Sequence, residues 1–540
     1  MPTDAPWWKT GVFYQIYPRS FMDANADGVG DLPGILQRLD HLAGTPESLG
    51  VDGLWISPCF VSPMADFGYD VADYTKIDPL FGTNEDMDCL IAGAHQRGIK
   101  VLLDFVPNHT SDQHPWFAAS RSSRESPQRD WYVWRDGRGP GRPPNNWVAA
   151  FGGSAWRWEP ATSQWYLHSF LEEQPDLNWR NPAVQEAMFG ALRFWLDRGI
   201  DGFRIDAIHY LIKDEQLRDN PTRPHVVPFL RQRHEHDMDQ PEVHGLLREL
   251  RLLLDSYPGD RMAVGETFLF DPARVAQYYG TGNDELHLAF NFRLLFCLWS
   301  ARSFMKVVTQ SEGLLPAGAW PVWVLSNHDQ TRHITRYGHL GRAERRARIA
   351  AAMLLTLRGT PFLYYGEEIG LRSHRVPKDR LVDPPGKRYW PVYGGRDVAR
   401  TPMQWEAKPG GGFSTAEPWL PFPADAQQIT VEAQQRDPGS LLALYRALIR
   451  LRKAHPALQL GSFTALPGAG SWGMAYRREV PGQRLLVVLN LGRLRRRYAL
   501  SQAGAGRARL LFSTEPDRPV GEESATSLHL GPEEGLVLEV

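Results

Sequence analysis

The segment Asp201 to Ile208, reading DGFRIDAI, ends an apolar run on an arginine and an aspartate two residues apart. Alternate residues of a strand share a face, so Arg204 and Asp206 are expected side by side, with the guanidinium favouring an ionised carboxylate. That pairing makes Asp206 a candidate nucleophile. Two more acids stand at the ends of apolar runs: Glu266 closes MAVGE, and Asp329 follows VWVLSNH. Any one of these acids, taken alone, reads equally well as a helix cap or an ion-pair partner. Their shared position at run ends is what sets them apart.

Short apolar runs recur at Gly11–Tyr17, Val51–Ser57, Lys100–Phe105, Ile200–Asp206, Met262–Glu266, Leu286–Phe292, Pro321–Asn327 and Phe362–Gly366. Segments with helical spacing lie between them: Ile35, Leu36, Leu39 and Leu42, then Val243 to Leu254, then Arg342 to Leu357, with Leu441 to Leu451 after the eighth run. Strand followed by helix, repeated eight times, predicts an α/β fold of the parallel (β/α)8 barrel type. Pro107 to Asn181 is too long for an ordinary strand-to-helix loop and predicts an inserted subdomain after the third strand. After about Pro456 the texture turns to short alternating runs, which predicts a small antiparallel β domain. The expected division is therefore 1–106 with 182–456 as barrel, 107–181 as insertion and 457–540 as C-terminal β domain.

In such a barrel the C-terminal strand ends share one mouth. Asp104 and His109, Arg204 and Asp206, Glu266, and His328 with Asp329 would then face a single pocket. Retaining cleavage of a glycosidic bond needs one ionised carboxylate as nucleophile and a second, protonated one as acid then base, roughly 5 to 5.5 Å apart. Arg204 is expected to keep Asp206 charged, and Glu266, near apolar groups and other acids, to have its pKa raised. Asp329, His109 and His328 would meet the sugar hydroxyls.

The 540 residues carry 60 Lys+Arg against 62 Asp+Glu, a formal charge of −2 that offers no footprint for nucleic acid or an acidic membrane. Nineteen tryptophans and 18 tyrosines suit the flat apolar faces and hydroxyl rims of sugars, and they equally fill cores. Cys59, Cys89 and Cys297 are too few and too widely spaced for a disulfide framework or a thiolate zinc site. The N-terminal residues lack a signal-peptide pattern, and no stretch approaches the roughly 20 apolar residues of a membrane span. A soluble, cytoplasmic protein is expected, with its oligomeric state left open.

The motifs GVDGLWISP, DFVPNH, QPDLNW, GFRIDAI, VGETF, SNHDQTR and GTPFLYYGEE, in that order along Gly50 to Glu368, resemble those of the α-amylase superfamily of retaining glycosidases, glycoside hydrolase family 13. The resemblance is strongest to its α-glucosidase and oligo-1,6-glucosidase branch. It implies Asp206 as nucleophile, Glu266 as acid/base and Asp329 as the acid that grips and distorts the sugar, with Arg204, His109, His328 and Asp104 in support. DFGYD resembles the segment in which Asp66 binds outer hydroxyls of a terminal glucose and Tyr69 stacks on it. ARTPMQW resembles the one in which Arg400 closes the same pocket. At the position of Ala207 the branch's α-1,6-preferring enzymes carry valine, so the small residue here implies α-1,4 links; a β-branched neighbour to the nucleophile would reshape the leaving-group site.

The implied substrates are short α-glucosides, with transglucosylation possible. A glucosyltransferase or a sucrose- or trehalose-type isomerase on the same scaffold is the alternative, and a non-catalytic barrel subunit a remote one.

DANADGVGD, with Asp23, Asn25, Asp27 and Asp31 and the Val29 carbonyl, is close to a calcium loop, although Gly34 stands where the bidentate glutamate would fall. A structural Ca²⁺ or Mg²⁺ is expected, with an Asx-rich turn as the alternative, and no organic cofactor.

Overall fold

The computed structural model describes residues 5–338, 341–423 and 425–540. Eight parallel strands are present: β1 Phe13–Ile16, β2 Gly53–Ile56, β3 Lys100–Phe105, β4 Gly202–Ile205, β5 Met262–Gly265, β6 Leu288–Ala289, β7 Val322–Val324 and β8 Thr360–Tyr364. Their ladders run in the order β6-β5-β4-β3-β2-β1-β8-β7, the cyclic order of a (β/α)8 barrel. Each is followed by a helix: α1 Leu32–Gln37, α2 Asn84–Gln96, α3 Pro182–Asp197, α4 Val243–Asp255, α5 Pro272–Gln277, α6 Ala301–Leu314, α7 Ala343–Thr356 and α8 Leu441–Ala454. Local chemistry starts these helices. Thr83 and Asp86 form a reciprocal capping box before α2, and the Asp31, Asn181 and Asp271 carboxyl or amide oxygens accept from the first turns of α1, α3 and α5.

The period of two along each strand decides what lines the barrel. The lower layer is apolar, with Phe13, Trp55, Leu102, Met262, Val264, Leu288, Val322 and Phe362 in one buried cluster. Phe13 and Phe362 stack with ring centroids 4.5 Å apart. One or two inward positions further along, the same faces turn polar: Gln15, Ser57, Asp104, Arg204 with Asp206, Glu266, and His328. Each strand thus seals the barrel floor and supplies its mouth. At β4 the approach is tight enough to require glycine, because a Cβ on Gly202 would lie 2.0 Å from the Met262 carbonyl oxygen.

No described ladder joins β6 to β7. The Tyr279 hydroxyl bridges that seam, accepting from the Ala289 amide at 3.2 Å and donating to the Trp320 carbonyl at 2.8 Å.

Between β3 and α3 the chain forms a helix, Pro115–Ser122, and a three-stranded antiparallel sheet of Trp134–Arg135, Gln164–Leu167 and Trp156–Glu159. A buried ion pair fastens this insertion to the barrel: Lys213 Nζ lies 2.7 Å from Asp176 and 2.7 Å from the Asn108 side-chain oxygen. After the short helix Pro456–Leu460 comes a six-stranded antiparallel sheet beginning at Ser462. The buried Arg478 of that sheet donates to the Thr356 carbonyl at the end of α7, and Tyr476 and Thr356 share a hydroxyl contact of 2.6 Å. Among the described residues no helix is long and apolar enough to cross a membrane.

If the Tyr279 hydroxyl closes the β6/β7 seam, Tyr279→Phe strands a buried amide and a carbonyl and costs about 1–3 kcal/mol. Urea unfolding of the two proteins measures this; equal midpoints would assign the seam to packing alone.

Candidate active site

The barrel mouth is organised around Arg204, which is 1% exposed. One terminal nitrogen of its guanidinium donates to Asp104 at 2.8 Å and to Asp206 at 2.6 Å; the other lies 2.7 Å from Glu266. Register explains the convergence. Asp104 pairs with Arg204 across β3 and β4, and the Asp206 and Glu266 amides extend the ladders by donating to Phe105 and Ile205, each at 2.8 Å. The Ala207 amide donates to Glu266 at 3.1 Å. Ala207 holds a left-handed conformation, φ 43°, ψ 37°, which a β-branched residue adopts only with strain.

One cation among three carboxylates cannot keep all of them charged. Burial, and next the Glu266 carboxylate, push the Asp206 pKa well above the ordinary aspartate value, against the pull of Arg204. Burial likewise lifts Asp104 to about 6, with Arg204 opposing. The expectation that Arg204 keeps Asp206 charged is therefore corrected: the guanidinium is divided among Asp104, Asp206 and Glu266, and its pull does not offset burial at Asp206.

A second chain of contacts runs from Gln15 to Asp104. Gln15 Nε2 lies 2.7 Å from His328 Nδ1, and His328 Nε2 lies 2.6 Å from the Tyr69 hydroxyl and 3.2 Å from Asp329. The Tyr69 hydroxyl donates to Asp104 at 3.1 Å, and the Trp55 indole donates to the same oxygen at 3.1 Å. Burial lowers the His328 pKa to about 3, so the ring is neutral. With the Gln15 amide donating to Nδ1, the ring proton resides on Nε2 and points toward Tyr69 and Asp329. Tyr69 itself is buried and stacks on His328, centroids 5.5 Å apart.

Asp329 sits between two guanidiniums, 3.0 Å from Arg400 and 3.7 Å from Arg396. Burial alone would raise its pKa; His328, Arg396 and Arg400 together outweigh burial and hold the carboxyl below the usual range. Arg400 also donates to the His328 carbonyl at 2.9 Å. Arg396 pairs with Asp66 and, at 2.7 Å, with Asp383. Gln174 joins Asp66, at 3.2 Å, to His109, at 3.0 Å, and His109 Nε2 is 3.1 Å from the Tyr69 carbonyl.

All eleven residues singled out in the sequence for chemistry or sugar contacts thus fall into one connected network. Arg396, Asp383 and Gln174 belong to it as well and were not singled out, although Arg396 precedes Arg400 by four residues and Gln174 opens QPDLNW.

The loop Asp23–Asp31 meets this network at its edge: the Trp419 amide donates to the Gly28 carbonyl and its indole to Ser20, whose hydroxyl donates to the Arg400 carbonyl. Asp23 accepts from the amides of Asn25, Ala26 and Gly28 and from the Ser414 hydroxyl, while Asp27 accepts from the Val29 amide and the Asn25 side chain. Gly28, φ +91°, sits in a cradle where a Cβ would meet the Glu417 carbonyl oxygen at 2.1 Å. Among the described residues no three His, Cys, Asp or Glu side chains gather closely enough to hold a metal by themselves. The short oxygen side chains and tight turn fit a hard cation in kind, provided Asn25 and the Val29 carbonyl contribute.

A (β/α)8 barrel whose mouth sets paired carboxylates on one arginine defines a glycoside hydrolase. The chain belongs to the α-amylase family: the family model described as the alpha amylase catalytic domain matches residues 15–461. A probable alpha-glucosidase of Rhizobium meliloti (strain 1021) is 44% identical over 503 residues, 90% of this chain and 90% of that protein. The oligo-1,6-glucosidase of Parageobacillus thermoglucosidasius is 38% identical over 515 residues, again 90% of each. Among solved structures, the alpha-glucosyl transfer enzyme XgtA superposes with a TM-score of 0.93 at 44% identity, covering 99% of this chain and 100% of that one. The trehalulose synthase MutB from Pseudomonas mesoacidophila MX-45 gives 0.88 at 33% identity and 99% coverage of both.

Burial lowers the His109 pKa to about 4, against about 6.5 in an unfolded chain. Between those values the unfolded chain binds a proton that the native site refuses, so this residue's contribution makes stability fall as pH falls. From pH 7 to pH 5 the wild-type chain should therefore lose about 2 kcal/mol more than His109→Gln. Denaturant titrations at both pH values test it, and parallel losses would contradict a buried neutral imidazole.

Proposed function

We propose that this protein is an exo-acting, retaining α-glucosidase that removes terminal α-glucosyl residues from short oligosaccharides or glucosides. The observation that carries the reading is the single guanidinium of Arg204 holding Asp206 and Glu266 beside one another at the barrel mouth. In this reading Asp206 attacks the anomeric carbon while Glu266 gives its proton to the departing glycosidic oxygen. In that step Asp206 is the charged member on Arg204. Glu266, now a base, takes a proton from water as the water oxygen bonds to the anomeric carbon and the ester bond to Asp206 breaks, giving glucose with the original anomeric configuration.

Asp329, kept ionised between Arg396 and Arg400, is suited to accept hydrogen bonds from sugar hydroxyls as the ring flattens. The Asp66–Arg396 pair and Arg400 form a charged end to the pocket that favours a chain terminus over an internal unit. Tyr69 supports the sugar through its place between His328 and Asp104.

The small Ala207 supports a preference for α-1,4 links, since a β-branched side chain beside the nucleophile would reshape the neighbouring leaving-group site. The alternative, transfer of the glucosyl group to another hydroxyl compound, uses the same ester and is supported by the likeness to an alpha-glucosyl transfer enzyme. The three cysteines are unpaired, which supports a cytoplasmic setting.

With phenyl α-glucoside, whose aglycone has no anomeric centre, NMR should record α-glucose before β-glucose; turnover of maltose should exceed that of isomaltose, and Asp206→Asn should lower kcat by about 10³-fold or more. Early β-glucose, faster isomaltose cleavage or an active Asp206→Asn would each contradict the corresponding assignment.

Asp23, Asn25, Asp27, Asp31 and the Val29 carbonyl would hold a structural Ca²⁺ or Mg²⁺, which supplies stability and takes no part in the two-carboxylate chemistry. Chelation with EDTA should lower Tm, with recovery on adding either ion. An unchanged Tm would leave the loop as a turn held by its own hydrogen bonds.

A further inference from the structure

On the inserted sheet, Arg135 lies directly opposite Trp165, and Trp165 directly opposite Trp158, so the three side chains form a row across one face. Trp158 is 41% exposed, more than any other described tryptophan. Its ring meets that of Trp165 in an edge arrangement, at 5.5 Å and 62°, and part of the Trp158 indole stays open to solvent. Arg135, exposed at the other end of the row, also lines a cavity of about 240 Å³ together with Asn178, Arg180, Lys213, Asp214 and Glu215.

The charges of this cavity are largely spent within the protein. Lys213 is paired with Asp176, Arg180 with Glu242, and Asp214 with Arg218. The other two charged groups of the lining, Arg135 and Glu215, are of opposite sign, so beyond its ion pairs the lining has no net charge and offers many hydrogen-bonding atoms. Beside a solvent-exposed indole, that combination suits a neutral polyol with one apolar side.

We propose that this groove is a second carbohydrate-binding site, in which one ring of a neutral α-linked glucan stacks on Trp158 and its neighbour enters the cavity past Arg135. The choice of an α-linked chain rests on the glucosidase reading. The site is separate from the catalytic network yet shares a segment with it: Gln174 reaches Asp66 and His109, while Asn178 faces the cavity. A chain held here would keep substrate near the mouth without taking part in cleavage.

The test is calorimetric titration of maltotriose into the full chain carrying Asp206→Asn, with cellotriose as the control. Two binding events are expected with maltotriose. Adding Trp158→Ala and Trp165→Ala should weaken one of them about tenfold or more while leaving the other, and Trp158→Phe should preserve both. A single event untouched by the tryptophan changes would overturn the proposal. So would a concentration-dependent dimer abolished by Trp158→Ala, which would assign the face to a second copy. Equal affinity for cellotriose would overturn the α-linked choice. Maltose hydrolysis by the otherwise unaltered Trp158→Ala/Trp165→Ala chain is read separately: intact hydrolysis without a second event defeats this inference alone, and absent hydrolysis by the wild type defeats the glucosidase reading.

Discussion

One buried positive charge shared by three carboxylates is the constraint from which the active-site arrangement follows. Arg204 has no access to water, and its planar fork reaches Asp104, Asp206 and Glu266 at hydrogen-bonding distance. Removing it would leave three acids facing one another in a poorly hydrated mouth, a cost met by taking up protons or by opening the barrel. Because one cation is divided among three carboxylates, burial raises the Asp206 and Asp104 pKa values against its pull.

The rest of the fold serves this arrangement. Inward-facing positions change from apolar to polar toward the C-terminal ends of the strands, so the same strands that build a dry floor deliver the reacting groups above it. Around that centre, Arg396 and Arg400 fix Asp329, and the Asp176–Lys213 pair ties down the inserted segment that carries Gln174. The C-terminal sheet touches the end of α7 through Arg478 and Tyr476, at a distance along the chain from the mouth residues.

Much of this was legible in the sequence because strand ends have a recognisable form: an apolar run stopped by a charged residue. Asp104, Asp206 and Glu266 could be placed from that pattern, and the family motifs then brought in Asp66, Tyr69, Ala207 and Arg400. Arg396, Asp383 and Gln174 sit in loops, where no periodicity signals which way a side chain faces, and their contacts span up to 330 residues of sequence. The upward push on the Asp206 pKa was beyond reach for a related reason. The Arg204–Asp206 spacing is local, but the sharing of that guanidinium with Asp104 and Glu266 depends on register across β3, β4 and β5. The β6 run, read as Leu286–Phe292, shrinks to Leu288–Ala289 because a tyrosine hydroxyl, not a ladder, faces β7.

Arg204→Lys tests the central claim most directly, because lysine keeps the charge and loses the fork. Lysine cannot meet all three carboxylates in plane, so the account predicts a folded protein whose kcat on maltose falls by about 10²-fold or more. A folded Arg204→Lys enzyme with wild-type kcat would contradict it.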